Sequence, residues 1–261
     1  MRQLKPIQPV PPMLRDMDLL ANRLASTTVL DGTSIVLEFE EGTQISMALS
    51  ATHVRWSAVT AAGAERSGED AYDAVEIRPG VFFLDFVLAD GSMAFSHVVD
   101  TRAGRALTVW NEVVETPAGF DLNEFLRPSR IVGHTGAYQP FRETRELLGK
   151  RLYCEYSPEA ALEHIYVNSV TIVWQWLLSP PELEQEVGIE AVTMWKVGEN
   201  LYLISTRGED PIQLTLLIDL DQMRNVGRLF GRGHFGVVDR RCGAKATFLG
   251  AFEYPEGYEP G

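Results

Sequence analysis

The residues best suited to chemistry stand in one short run, Glu163-His164-Ile165-Tyr166-Val167-Asn168. Alternate side chains of a strand face opposite sides, so His164, Tyr166 and Asn168 share one face and Ile165 and Val167 the other. Imidazole exchanges a proton near neutral pH, and a neighbouring phenol can orient a carbonyl or hydroxyl. Trp174 and Trp176 follow with the same two-residue spacing and would stack on an aromatic ligand. Tyr156 supplies a second phenol, and Arg207 a guanidinium able to hold an anionic group bidentately. The pattern predicts catalytic roles for His164, Tyr166, Tyr156 and Arg207, with Asn168, Trp174 and Trp176 binding the ligand. The plainer alternative turns the polar face, and Arg207 at its strand end, to solvent.

These residues sit in the second half of a chain that repeats itself. Gly32, Glu38-Phe39, Trp56, Gly80 and Asp100 recur in order as Gly149, Glu155-Tyr156, Trp174, Gly198 and Asp219. The Gly-to-Glu step is 6 in both (38 − 32, 155 − 149) and the Trp-to-Gly step 24 in both (80 − 56, 198 − 174). Shared order and spacing over this length predict a duplicated domain. Short alternating segments with Glu40-Glu41-Gly42, Pro79-Gly80 and Asp90-Gly91 as turns predict antiparallel strands, and eight of these can close into a barrel. The divided chain then reads as a proline-containing arm and short helix (residues 1–28, with Leu14, Met17, Leu20 and Leu24 at helical spacing), a first barrel (29–115), an ordered connector (116–145) and a second barrel with its tail (146–261). Where the second copy has its His-x-Tyr feature, the first has Ser46, Met47 and Ala48, and Phe39 stands for Tyr156. The active pocket is therefore expected in the second copy, with His53 and His97 as surface or core residues.

Composition narrows the function. A formal charge of −13 argues against an extended phosphate-binding surface, hence against nucleic acid. No apolar run reaches the length of a membrane span, and the N-terminal residues lack the apolar core of a signal peptide, so the expectation is a cytoplasmic protein without membrane contact. Cys154 and Cys242 form no CxxC, and His53, His97, His134, His164 and His234 show no HxH or HExxH spacing; no metal is expected. The run GRLFGRGHFG at 227–236 lacks the Lys-Ser/Thr of a phosphate loop and reads as a hairpin. Asp100 and Asp219 end equivalent strands, which suggests a turn role.

LLGKRLYCEYSP, LEHIYVNSVTIVWQW, LYLISTRGED and LLIDLDQMRNVGRLFG resemble the MoaF family over most of residues 29–252. That resemblance implies an all-β fold of two tandem antiparallel lipocalin-like, or calycin-like, β-barrels and, by the family's label, a link to molybdenum cofactor biosynthesis. The order of Gly, aromatic strand and His/Tyr/Asn strand is more remotely similar to phenolic acid decarboxylases, single barrels that act without a cofactor. The family pattern has Trp-Arg-Glu where this chain has Thr206-Arg207-Gly208, with Glu209 or Asp210 as substitute carboxylates. The expected function is a cofactor-independent lyase or isomerase acting on a small aromatic or phenolic compound in the second barrel. The alternative is a non-catalytic small-molecule-binding protein, or an accessory protein of molybdenum cofactor biosynthesis; a homodimer is compatible with each.

Overall fold

The computed structural model describes residues 17–117, 119–179, 186–208, 211–233 and 236–255. Eight antiparallel strands, β1 (Ser34–Phe39), β2 (Gln44–Leu49), β3 (His53–Val59), β4 (Glu65–Arg78), β5 (Val81–Val87), β6 (Met93–Asp100), β7 (Arg105–Thr116) and β8 (Gly119–Ile131), pair in sequence order and close through β1 and β8. After the two-residue β9 (Arg142–Glu143), the scheme repeats with β10 (Lys150–Ser157), β11 (Ala160–Asn168), β12 (Thr171–Leu178), β13 (Val187–Gly198), β14 (Leu201–Arg207), β15 (Ile212–Asp219), β16 (Arg224–Gly233) and β17 (Gly236–Ala251). This second barrel closes through β10 and β17, and β9 adds to the outside of β13.

The repeated landmarks occupy equivalent places. Gly32 and Gly149 precede the first strand of each barrel with φ of 73° and 74°, in the left-handed region where glycine carries no steric penalty. Trp56 and Trp174 lie on the third strands. Asp100 Oδ1 accepts the Ala103 N–H, and Asp219 Oδ1 those of Asp221 and Gln222, so both carboxylates organise the turn after the sixth strand.

Two expectations need correction. Residues 119–131 are not connector but β8, which completes the first barrel. Phe120, Leu122 and Leu126 do share a face, yet Glu124 interrupts it and Gly119 and Pro128 punctuate it, which hides the strand's period. The helix over Leu14–Leu24 does not form in its described part, residues 17–24, and there is no helix among the described residues. Asp18 Oδ1 instead accepts the N–H groups of Leu20 and Ala21 in a turn, and Met17 and Leu19, two apart, both enter the second barrel's core. The rest of the arm, His234, Glu209, Asp210 and the end of the tail fall outside the described residues. No helix of the described residues is long and apolar enough to cross a membrane.

The barrels share one face. Strands β5 and β6 are buried on nearly every residue, because their inward side chains fill the first barrel while Val81, Phe83 and Val98 point outward onto Leu201, Leu203, Leu217 and Val226 of the second. Within this layer Arg228 Nε donates to Asp85 Oδ2 at 2.8 Å, with side chains 4% and 0% exposed, and Arg228 also pairs with Asp239. At its edge Arg78 grips Asp219 through two bonds of 2.6 and 2.7 Å.

Removing one partner of a buried ion pair strands the other charge. Arg228→Ala is expected to cost about 3–5 kcal/mol, and Arg228→Met combined with Asp85→Leu to recover most of it. Urea unfolding of the two variants checks this.

Candidate functional site in the second barrel

The second barrel's interior is built from alternate residues. Leu152, Cys154 and Tyr156 of β10 point inward, as do Ile204 of β14 and Cys242, Ala244 and Ala246 of β17. His164 is the cross-strand partner of Leu152 on one side and of Trp174 on the other, and Tyr166 is the partner of Ile172. His164 and Tyr166 therefore face inside, 2% and 0% exposed. Trp174 and Trp176 share that face on β12, half-buried, with ring centroids 6.5 Å apart in an edge-on arrangement. The structure thus brings together His164, Tyr166, Tyr156, Trp174 and Trp176.

Two predicted residues lie elsewhere. Asn168 sits at the β11–β12 turn, where a register shift follows Tyr166 and its Oδ1 accepts the Val170 N–H at 2.9 Å. On β14 the inward residues are Tyr202, Ile204 and Thr206, so Arg207 points outward and forms an ion pair with Asp121 of the first barrel. One residue of register decides its face: Thr206, not Arg207, reaches the interior.

The residue that sequence reasoning missed is Glu190. Gly188 lies opposite Trp174 in the β12–β13 ladder, and a Cβ on it would stand 2.2 Å from the indole. The ring therefore lies flat on the neighbouring strand, and its Nε1 donates to Glu190 Oε1 at 2.8 Å while Thr206 donates to Oε2. The first barrel repeats the device: Trp56 lies on Gly68 and donates to Asp70 at 2.8 Å. A glycine followed two residues later by an acid, downstream of the shared tryptophan in both halves, is the signal that could have found it.

Burial holds the His164 imidazole and the Tyr156 and Tyr166 phenols in their neutral forms. Burial pushes the His164 imidazole down to about 4, with the Glu163 carboxylate opposing. Burial holds the Tyr156 and Tyr166 phenols well above their usual range, with Cys242, Cys154 and Tyr166 around Tyr156 adding to its shift. His164 Nδ1 and the Tyr166 hydroxyl are enclosed with no hydrogen-bond partner among the described residues. Cys154 receives a 3.5 Å contact from Asn225 Nδ2, and burial pushes its thiol up to about 12, so it is no nucleophile at neutral pH. Glu163, adjacent to His164 in sequence, faces outward to Arg151 and Gln175. Among the described residues no group of three or more His, Cys, Asp or Glu side chains could hold a metal ion.

Residues 19–115 match the MoaF N-terminal domain and residues 141–252 the MoaF C-terminal domain. The chain belongs to the MoaF family. It is 33% identical over 118 residues to protein MoaF of Klebsiella aerogenes, an alignment spanning 43% of this chain and 44% of that protein. A solved structure from Burkholderia vietnamiensis, provisionally described as a β-lactamase, aligns with a TM-score of 0.36 and 12% identity over 41% of this chain and 99% of its own; a likeness at that level supports no statement about activity. Within this MoaF-family chain, register gives the correspondence between halves. Met47 pairs with Trp56 as His164 pairs with Trp174, and Leu49 pairs with Val54 as Tyr166 does with Ile172. The polar pair of the second barrel thus replaces a Met and a Leu of the first.

The first barrel has its own inward imidazole, His97, which burial pushes down to about 3. Both folded-state values lie below the ordinary 6.5, so as pH falls the unfolded chain takes up protons first. The stability contributed by keeping these rings neutral is full above about pH 6.5 and is lost as pH falls toward about 4 for His164 and about 3 for His97. From pH 7 to 5 each histidine should remove about 2 kcal/mol. Denaturation at the two pH values is expected to show this loss, and His164→Leu and His97→Leu each to reduce it.

Proposed function

We propose that the second barrel is a binding pocket for a small, uncharged aromatic molecule. The observation that carries this reading is the pairing of two enclosed polar atoms without protein partners, His164 Nδ1 and the Tyr166 hydroxyl, with the indole of Trp174 on one inner face. A buried polar group left without a bond costs about 1–3 kcal/mol, which a ligand oxygen or nitrogen would recover. Small inward side chains at Cys154, Cys242, Ala244 and Ala246 favour this barrel. An uncharged ligand suits a neutral imidazole and two protonated phenols better than an anionic one, for which Arg207 is on the wrong face. The family resemblance alone implies an accessory role in molybdenum cofactor biosynthesis, with which a non-catalytic binding barrel is compatible.

Catalysis is the second reading, favoured by His164 and Tyr166 being neighbours on one strand face. A neutral imidazole can take a proton from the carbon beside a carbonyl while the Tyr166 hydroxyl hydrogen-bonds the oxygen of the enolate so formed, and return of that proton from His164 to a different carbon completes an isomerisation with both side chains restored. Decarboxylation of an aromatic acid has less support, because the guanidinium expected to hold the carboxylate points away.

Titration with neutral phenols and aryl ketones, and with their carboxylated counterparts, followed by Trp fluorescence, tests the binding reading. Neutral compounds should bind more tightly, Tyr166→Phe should weaken them about 5-fold, and Arg207→Ala should leave affinity unchanged. Preference for the carboxylates, lost in Arg207→Ala, would reject the reading. For the isomerase, His164→Ala should lower turnover by roughly 100-fold or more.

A further inference from the structure

The first barrel was expected to serve as packing, yet its interior holds polar atoms that packing does not explain. His97 points inward from β6, fully buried, and its Nδ1 is bonded to Thr108 Oγ1 at 2.9 Å. Whichever of the two donates, Nε2 is left with one bonding capacity, and it has no partner among the described residues. Trp110, two residues beyond Thr108 on the same inner face of β7, has its indole N–H enclosed and likewise unpartnered. Both rings lie against one phenyl group: Phe95 stacks on His97 at 5.9 Å and meets Trp110 at 5.3 Å in a tilted arrangement. The two orphan nitrogens thus belong to rings that contact the same phenyl group.

A chain of touching aromatic rings runs from a part-exposed residue to that phenyl group. Phe125 is 45% exposed at the rim and lies 5.4 Å from Trp110, which leads to Phe95, and Phe95 stacks at 4.9 Å on Phe86. Leu216 stands on β15 where His97 stands on β6, three residues before the shared Asp in each copy. The imidazoles of the two barrels thus occupy non-equivalent strands, the second in one barrel and the sixth in the other, and neither is a remnant of the other.

We infer that the first barrel holds a second, independent site for a neutral, planar, apolar molecule with one hydrogen-bonding heteroatom, contacted by His97 Nε2 and Trp110 Nε1. The rings supply dispersion and π-stacking over a flat ligand, and the nitrogens fix its polar end. The site does not depend on the function proposed for the second barrel.

N-phenyl-1-naphthylamine, an uncharged planar fluorophore with a single N–H, is the probe. In His164→Leu, which disables the candidate pocket of the second barrel, the full chain should still bind it saturably, and adding His97→Leu should weaken that binding about tenfold. In ¹⁵N-histidine-labelled wild-type protein the His97 Nε2 resonance should move on saturation, a readout that holds if His97→Leu fails to fold. Absence of saturable binding, or an unmoved His97 Nε2 resonance at saturation, would overturn the inference. So would a loss of binding confined to His164→Leu, which would assign the probe to the second barrel.

Discussion

The shared face between the barrels is the constraint from which the rest of the molecule follows. A barrel normally has an apolar inside and a wet outside, but here β5 and β6 are enclosed on both sides. Their outward Val81, Phe83 and Val98 meet Leu201, Leu203 and Leu217 in one layer that also takes in Val75 and Ile77 of β4 and Trp195 and Val197 of β13, so the barrels dock through strands from the fourth onward in each copy. Asp85 and Arg228 within that layer contribute orientation more than net energy. Their mutual attraction largely offsets desolvation, while any other docking angle would leave both charges bare. Arg78 on Asp219 and Arg207 on Asp121 extend the same charge matching to the edges.

With the outer faces of β13–β16 committed to docking, variation in chemistry is confined to the interiors. The Trp-Gly-acid device is kept in both, Trp56 with Gly68 and Asp70, Trp174 with Gly188 and Glu190. It fixes an indole against the wall of each barrel. Around that fixed ring the copies differ: the second exchanges Met47 and Leu49 for His164 and Tyr166 and lines β17 with small side chains, whereas the first fills its interior with Phe86, Phe95 and Trp110 around His97. Duplication supplied one scaffold and two dissimilar linings.

Much of this was legible in the sequence, and the failures have physical causes. The repeat and the parity of His164, Tyr166, Trp174 and Trp176 could be read because they depend on a two-residue period that β11 and β12 keep through the site. Asn168 and Arg207 were misplaced where the period breaks or an odd-even choice decides: a register shift at the end of β11, and β14 placing Thr206 inward. Strand β8 was hidden because its apolar residues serve docking and its alternation is interrupted by Glu124 and Pro128. Glu190 was passed over because an acid on a strand normally reads as a solvent-facing residue, and only the indole beside it turns it inward. The helix over Leu14–Leu24 failed because Met17 and Leu19 are ordered by the barrel they enter rather than by one another.

That early segment has a consequence for how the molecule is made. Arg240 donates to the Met17 carbonyl across 223 residues of chain, Gly243 donates to the Leu19 carbonyl, and a Cβ on Gly243 would meet the backbone of Arg23 at 2.8 Å. A few residues later Thr27 donates its N–H to the Ala74 carbonyl on β4, so one stretch of backbone is stitched to both barrels. A ribosome delivers residues 17–23 early, but their seat is β17, which exists only when nearly all of this sequence has emerged. The first barrel can close in the meantime, while Met17 and Leu19 wait in water for the strand that will cover them. Assembly thus fastens this segment to a strand made more than 200 residues after it, a long-range closure of the kind that slows β-rich folding.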